Sequence, residues 1–117
     1  MIEELTMKKS LFTVGGVALS VALCVALPAH ASGNAEAGKA KSTACAACHG
    51  ADGVSAVPSF PKLAGQNRDY LYHSLKDYKA GKRKNPIMAG QVQNLTEADM
   101  QDLAMYFSKQ KGLQLKY

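Results

Sequence analysis

The clearest periodic pattern of apolar and polar residues lies near the C-terminal end of the chain. Four apolar residues recur at i, i+3, i+4 and i+7, the spacing that places side chains on one face of a helix: Met100, Leu103, Ala104 and Phe107. The preceding Thr96-Glu97-Ala98-Asp99 resembles a capping box, with Asp where Glu is usual. The sequence therefore predicts a helix over about 97–110 with one buried face.

Two further helices are predicted upstream of this one. The first covers about 35–46, with Asn34 as its N-cap, and the second covers about 68–80, with Asn67 as its cap and Gly81 as its stop. The second helix has an apolar face made of Leu71, Leu75 and Tyr78. No alternating strand pattern occurs after residue 31, so the predicted fold class is all-α with three or more helices.

The remaining segments, 50–66 and 82–94, are predicted to be irregular because glycine and proline interrupt them. Phe60 and Leu63 are expected to turn inward from the first of these loops. Loops this long in a small domain need something to pack against, and a bound cofactor would supply that surface.

The N-terminal segment predicts export. Lys8 and Lys9 precede an apolar run from Leu11 to Leu27, and Ala29-His30-Ala31 has the small-x-small form of a cleavage signal. We expect residues 1–31 to be a removed signal peptide, with translation starting at Met1 or Met7, and residues 32–117 to form one periplasmic domain. The alternative is a retained anchor, since the run is borderline for the ~20 residues that span a bilayer.

The size and the net charge of the chain limit the classes of function that it can have. Removing 31 of the 117 residues leaves 86, a chain that buries only a thin core and often needs a metal or cofactor. The formal net charge is +5, which favours an acidic partner. Export argues against the other common partner of a basic chain, nucleic acid.

The candidate chemistry lies at Cys45-Ala46-Ala47-Cys48-His49, the attachment motif of c-type haem. Two thiols three residues apart lie on one side of a helix, so each can bond one vinyl group of the porphyrin, and His49 can then reach the iron. We expect one covalent haem c. The alternatives are a thioredoxin-type dithiol, half of a zinc site that recruits His73, and a plain disulfide.

The sixth iron ligand is predicted to be Met88. It follows Pro86 in a segment expected to be a loop, and proline restrains such a loop before the weak thioether binds. Met100 lies on the predicted buried face and suits a role in the core, whereas Met105 lies off that face of the same helix and is expected to be partly exposed. His73 is the other possible ligand, although it is expected on the solvent side of its helix.

Three stretches carry a resemblance to class I cytochromes c, and more closely to one half of the dihaem cytochromes c of bacterial periplasms. They are Ala44 to Gly50, Val57 to Gln66 and Leu103 to Phe107, and Met88-Ala89-Gly90 is similar to the methionine-ligand segment of that family. The resemblance implies the cytochrome c fold, histidine and methionine ligation, and electron transfer rather than catalysis. By position it also implies that the Pro58 carbonyl accepts a hydrogen bond from the His49 ring.

The expected function is a periplasmic electron carrier between a quinol-oxidising cytochrome complex and a terminal oxidase or reductase. Basic residues on the surface would orient it on acidic partners: Lys39, Lys41, Lys62, Lys82, Arg83 and Lys84. Two alternatives stay open, namely a subunit of a larger oxidoreductase complex and a ligand-binding or sensor haem protein. Peripheral membrane contact is compatible with this interpretation, and the oligomeric state is left open.

Overall fold

The computed structural model describes residues 32–112, which form five helices and no strand. The helices are α1 (Ala35–Lys41), α2 (Thr43–His49), α3 (Arg68–Lys79), α4 (Pro86–Val92) and α5 (Glu97–Ser108). The predicted all-α class is confirmed over this range. The expected signal segment lies outside the described residues. Within 32–112 no helix has both the length and the apolarity needed to cross a membrane.

The core forms where α5 packs against α1 and α3. Its buried cluster consists of Leu71, Leu103, Ala104, Tyr106 and Phe107. Gly38 lies at the crossing of α1 and α5, where a β-carbon would overlap the backbone carbonyl of Asp102. The glycine therefore allows the two helices to approach closely, because no side chain separates them.

The predicted helix starts agree with the structure. The side chain of Asn34 accepts from the Ala37 amide, and that of Asn67 accepts from the Tyr70 amide. Thr96 and Asp99 form both hydrogen bonds of a capping box. Each side chain satisfies an amide that lacks a partner in the first turn of its helix, which is why these starts could be read from local sequence.

The single helix predicted over 35–46 is wrong, because the structure divides this segment at Ser42. The Ser42 hydroxyl donates to the Lys39 carbonyl over 2.8 Å, and its amide bonds the same carbonyl. A serine that bonds nearby backbone competes with continued helix. The second piece, α2, extends beyond the predicted end to His49 and stops at Gly50, whose φ is +84°.

The prediction of an irregular segment over 82–94 is also wrong, because residues 86–92 form α4. Asn85 caps this helix by accepting from the amides of Ile87 and Met88, and Pro86 occupies its first turn. Proline suits that position because its missing N–H would have no partner there. Met88 therefore lies on a short helix rather than in a loop.

The segment 50–66 contains no helix, as predicted, and it is tied to the core by hydrogen bonds. The buried Tyr106 hydroxyl donates to the Ala51 carbonyl over 2.9 Å, and the Gly65 amide donates to the Phe107 carbonyl over 3.0 Å. A β-carbon on Gly53, whose φ is +83°, would collide with Phe107. These contacts hold residues 50–66 against the face of α5 that carries Phe107.

Candidate haem site

A cavity of about 530 Å³ opens between α2, the 50–66 segment, α3, α4 and α5. This volume lies in the range of roughly 300–1,000 Å³ that is usual for ligand sites. Its wall is mainly apolar and includes all the sequence-predicted haem contacts except Pro58: Cys45, Cys48, His49, Phe60, Leu63 and Met88. Residues more than 40 positions apart in the chain thus meet around one space.

The two thiols lie on the last turns of α2. Cys45 and Cys48 are both free and half-buried, and both face the cavity. Burial raises the pKa of the Cys45 thiol. A thioredoxin-type dithiol sits in a βαβ context, and residues 32–112 contain no strand that could supply one.

The zinc alternative also lacks support in the described part of the chain. No group of three His, Cys, Asp or Glu side chains comes together there as a metal site. His73 is exposed on α3 and does not line the cavity. A structural zinc ion requires four ligands, and residues 32–112 do not bring together even three.

His49 ends α2 and is buried. Its Nδ1 atom lies 2.7 Å from the carbonyl oxygen of Pro61. A carbonyl can only accept, so this contact makes Nδ1 the protonated nitrogen and leaves the Nε2 lone pair available to a metal. The ring is thereby held in one tautomer and one orientation.

The expectation that Pro58 supplies this carbonyl is corrected by the structure. The Phe60 amide donates to the Val57 carbonyl over 3.1 Å, which closes a turn with Pro58 at its second position. Pro58 is therefore exposed at the outside of the turn and does not line the cavity. Pro61, which follows the turn, reaches the histidine instead.

Met88 is half-buried and lines the cavity from α4. Met100 is only 3% exposed within the core, and Met105 is half-buried on α5; neither lines the cavity. Of the three methionines in residues 32–112, Met88 alone has access to the space beside His49. The sequence favoured Met88 because it was expected in a loop, whereas the structure places it on the helix α4.

The polar part of the cavity wall was not predicted from the sequence. Arg83 and Asn85 both line the cavity, together with Ser74, Gln66 and Gln91. The Arg83 guanidinium donates to the Ser74 hydroxyl over 2.9 Å and lies 4.8 Å from the centre of the Tyr78 ring. The Asn-Pro pair at 85–86 is a local signal for a helix start that could have placed Asn85.

Comparison with known proteins agrees with this geometry. The cytochrome c family model matches residues 35–111. The chain is 53% identical over 83 residues to cytochrome c4 of Pseudomonas aeruginosa, a match that covers 71% of this chain and 41% of that protein. It is 41% identical to cytochrome c-554(548) of Halomonas halodenitrificans, covering 68% of this chain and all of that protein.

A solved structure shows the same architecture. The reduced recombinant cytochrome c4 from Pseudomonas stutzeri superposes with a TM-score of 0.66 at 48% identity, over 69% of this chain and 47% of that one. The chain thus spans about half the length of the cytochromes c4 that it matches.

The cavity also fits the cofactor of this family. Its wall combines paired thiols, a histidine held in one tautomer and a largely apolar surface, which together suit one covalent haem c. Since the family model matches residues 35–111 and the site has the donor set that the family requires, the chain belongs to the cytochrome c family.

Proposed function

We propose that this protein is a periplasmic electron carrier that moves single electrons through one His/Met-ligated haem c. The observation that carries the proposal is the common position of four groups on one cavity wall: the thiols of Cys45 and Cys48, the His49 ring and the Met88 thioether. Each has a chemical role toward an iron porphyrin, and the cytochrome c family uses this combination for electron transfer.

The cysteines would hold the porphyrin by thioether bonds, and His49 and Met88 would bind the iron. When bound, haem supplies an Fe(III)/Fe(II) couple that takes up or gives up one electron. The hydrogen bond from His49 Nδ1 to the Pro61 carbonyl increases electron donation from the ring. The Met88 thioether, as an iron ligand, would raise the reduction potential.

The apolar wall has a separate role, which is to keep water from the iron. Phe60 and Leu63 contribute from the 50–66 segment, and Leu71 and Phe107 contribute from the core. Where water is excluded, few solvent molecules reorient when the iron gains or loses an electron. Electron transfer is then rapid. The hydrogen bonds that tie residues 51 and 65 to α5 keep this wall in place.

A ligand-binding or sensor haem needs an open sixth position. The position of Met88 on the cavity wall, on a helix capped by Asn85, favours a filled one. We therefore favour the carrier, and rapid binding of carbon monoxide to the reduced protein would overturn this choice.

The partners that we propose are a quinol-oxidising cytochrome complex as donor and a terminal oxidase or reductase as acceptor. The net charge of +5 supports docking on acidic surfaces. Lys62 and Arg83 are exposed and line the cavity, and Lys82 and Lys84, on either side of Arg83 in the chain, are exposed as well.

A pyridine haemochrome assay on protein matured in a host that attaches haem c tests the cofactor assignment. We expect one haem per chain with both vinyl groups converted to thioethers. The double variant Cys45→Ala/Cys48→Ala should yield no stable holoprotein, whereas Ala47→Ser, which keeps the spacing, should load fully. A colourless but folded wild-type protein would refute the proposal.

A further inference from the structure

The charges on the cavity wall are unbalanced. Two basic side chains, Lys62 and Arg83, line the cavity, and no Asp or Glu of residues 32–112 does so. The other ionisable groups on the wall are the tyrosines 70 and 78 and the residues of the haem motif. A wall of this composition suits a ligand that carries negative charge at one edge.

Arg83 is held in place at this wall. Its Nη1 donates to Ser74, and its guanidinium lies over the Tyr78 ring, so contacts from two successive turns of α3 fix its direction. Its own backbone amide donates to the Asp77 carbonyl over 3.0 Å. It forms no ion pair within the described residues, and most of its donors therefore stay available.

Asn85 lies two residues further along and offers a second donor. Its side-chain oxygen accepts from the amides of Ile87 and Met88, at 3.0 and 3.2 Å. The amide oxygen is committed to the cap, so the NH₂ group of Asn85 is left to donate elsewhere. Since both side chains line the cavity, Arg83 and Asn85 can bind one group together.

We infer that Arg83, assisted by the side-chain amide of Asn85, binds one propionate carboxylate of the haem. The inference rests on the proposed function, since it needs a haem in the cavity. A haem carries two propionates, and a guanidinium can hold a carboxylate through two parallel hydrogen bonds. Asn85 also caps α4, so its contact with the propionate would connect the edge of the porphyrin to the helix that carries Met88.

Lys62 is the competing cation on the wall, and the structure favours Arg83 over it. The Lys62 ammonium has no hydrogen bond within residues 32–112, whereas the Arg83 guanidinium is fixed by Ser74 and Tyr78 before the haem binds. A preorganised donor loses less side-chain entropy on binding. Lysine also lacks the planar fork that matches a carboxylate.

Infrared spectroscopy of the loaded protein tests the assignment. Feeding the host 5-aminolevulinate labelled with ¹³C at its carboxyl carbon labels only the two propionate carboxylates of the haem, so a labelled-minus-unlabelled spectrum isolates their stretching bands. In Arg83→Gln we expect the band of one propionate, half of the labelled intensity, to shift, and the reduction potential to fall because a cation near the iron is lost.

Four further variants make the result specific. Lys84→Gln and Lys62→Gln each remove one neighbouring charge and should leave the bands in place. Arg83→Lys should have the reduction potential of the wild type but the shifted propionate band of Arg83→Gln, because lysine keeps the charge and lacks the bidentate geometry. Ser74→Ala keeps the guanidinium but removes its anchor, so it should shift the same band by a smaller amount.

The outcomes separate this inference from the proposed function. Haem content is measured by haemochrome on each sample. Full haem loading with unshifted propionate bands in Arg83→Gln overturns the carboxylate assignment and leaves the carrier standing. If the propionate band shifts in Lys62→Gln and not in Arg83→Gln, the carboxylate assignment is overturned as well. Absence of haem from the wild type refutes the proposed function itself.

Discussion

The Nδ1 atom of His49 lies 2.7 Å from the carbonyl oxygen of Pro61, twelve positions further along the chain. This bond joins the end of α2 to the segment that crosses the cavity. It fixes which ring nitrogen faces the iron, and it is set by the turn at Val57 to Phe60, which directs Pro58 outward. A change in the position of the Pro61 carbonyl should therefore reach the haem.

Substitution of Pro61 tests that connection. Pro61→Ala keeps the carbonyl but frees the backbone angle that positions it. We expect a longer bond to His49, weaker electron donation to the iron and a higher reduction potential. Pro58→Ala is the matched control, since Pro58 is exposed outside the cavity. Voltammetry should show a larger shift for Pro61→Ala, and equal shifts would contradict the assigned role of Pro61.

Loss of the Met88 thioether should leave the haem attached but open its sixth position. In Met88→Ala we expect the potential to fall by a sizeable part of the ~0.8 V range that axial ligands span. The weak sulfur-to-iron absorption band that marks methionine ligation to ferric iron should disappear. Carbon monoxide should bind the reduced variant rapidly.

Met105→Ala provides the control for this substitution. Met105 is half-buried on α5 and does not line the cavity, so its loss should leave the absorption band and the resistance to carbon monoxide unchanged. If Met88→Ala still excluded carbon monoxide, a different residue would be the sixth ligand.

Lys41 connects α1 to α5 through two carboxylates. Its Nζ lies 2.7 Å from Asp99 and 2.7 Å from Asp102, and the Asp102 side chain is only 6% exposed. In Lys41→Met we expect the free energy of unfolding to fall by about 2 kcal/mol, since hydrogen bonds to charged groups contribute roughly 1.5–3 kcal/mol. Lys39→Met, at an exposed position on the same helix, should change it little in denaturant titration.

The same ion pairs predict how stability depends on pH. The hydrogen bond from Lys41 lowers the pKa of Asp99 from 3.8 to about 2. The folded value lies below the unfolded one, so this stabilisation is present above pH 4 and is lost as the pH falls from about 4 to about 2. In Lys41→Met the unfolding midpoint should depend less steeply on pH between about 4 and about 2. A pH dependence as steep as that of the wild type would contradict the assignment.

The helical glycines 38 and 90 should respond oppositely to alanine. A β-carbon at Gly38 would overlap the Asp102 carbonyl and approach Tyr106 Cβ to 2.8 Å, whereas one at Gly90 meets nothing within 4 Å. Gly90→Ala should therefore stabilise by about 0.5–1 kcal/mol through helix propensity. Gly38→Ala should destabilise by about 1–3 kcal/mol, as overpacked sites do. Similar unfolding midpoints for the two variants would show that the helices separate easily.

The net positive charge should appear in the salt dependence of electron exchange. Reduction by anionic ferrocyanide should slow as salt rises, because the Debye length falls from about 30 Å at 0.01 M to about 8 Å at 0.15 M. Reduction by cationic hexaammineruthenium(II) should accelerate. The double variant Lys82→Gln/Lys84→Gln should show a weaker dependence in stopped-flow measurements, and rates independent of salt for both reagents would refute electrostatic steering.

Local sequence determined the features that depend on neighbours in the chain. The caps at Asn34, Asn67 and Thr96 act within three residues, and the buried face of α5 follows from helical periodicity. The haem motif is equally local, since its chemistry needs only a fixed spacing of thiols and imidazole on one helix. For the same reason Asn85 and Pro86 could have revealed α4, although the surrounding glycine and lysine obscured the helix.

Only the tertiary structure decided which distant groups share the cavity. The carbonyl that accepts from His49 belongs to Pro61 and not to the expected Pro58. Met88 lines the cavity and the other two methionines of residues 32–112 do not, and Arg83 and Asn85 belong to its wall. The tertiary structure also explained Gly38, which looks like a poor helix residue until α5 packs against it. These contacts depend on how the chain turns and how closely helices pack, and no pattern of neighbouring residues encodes such distances.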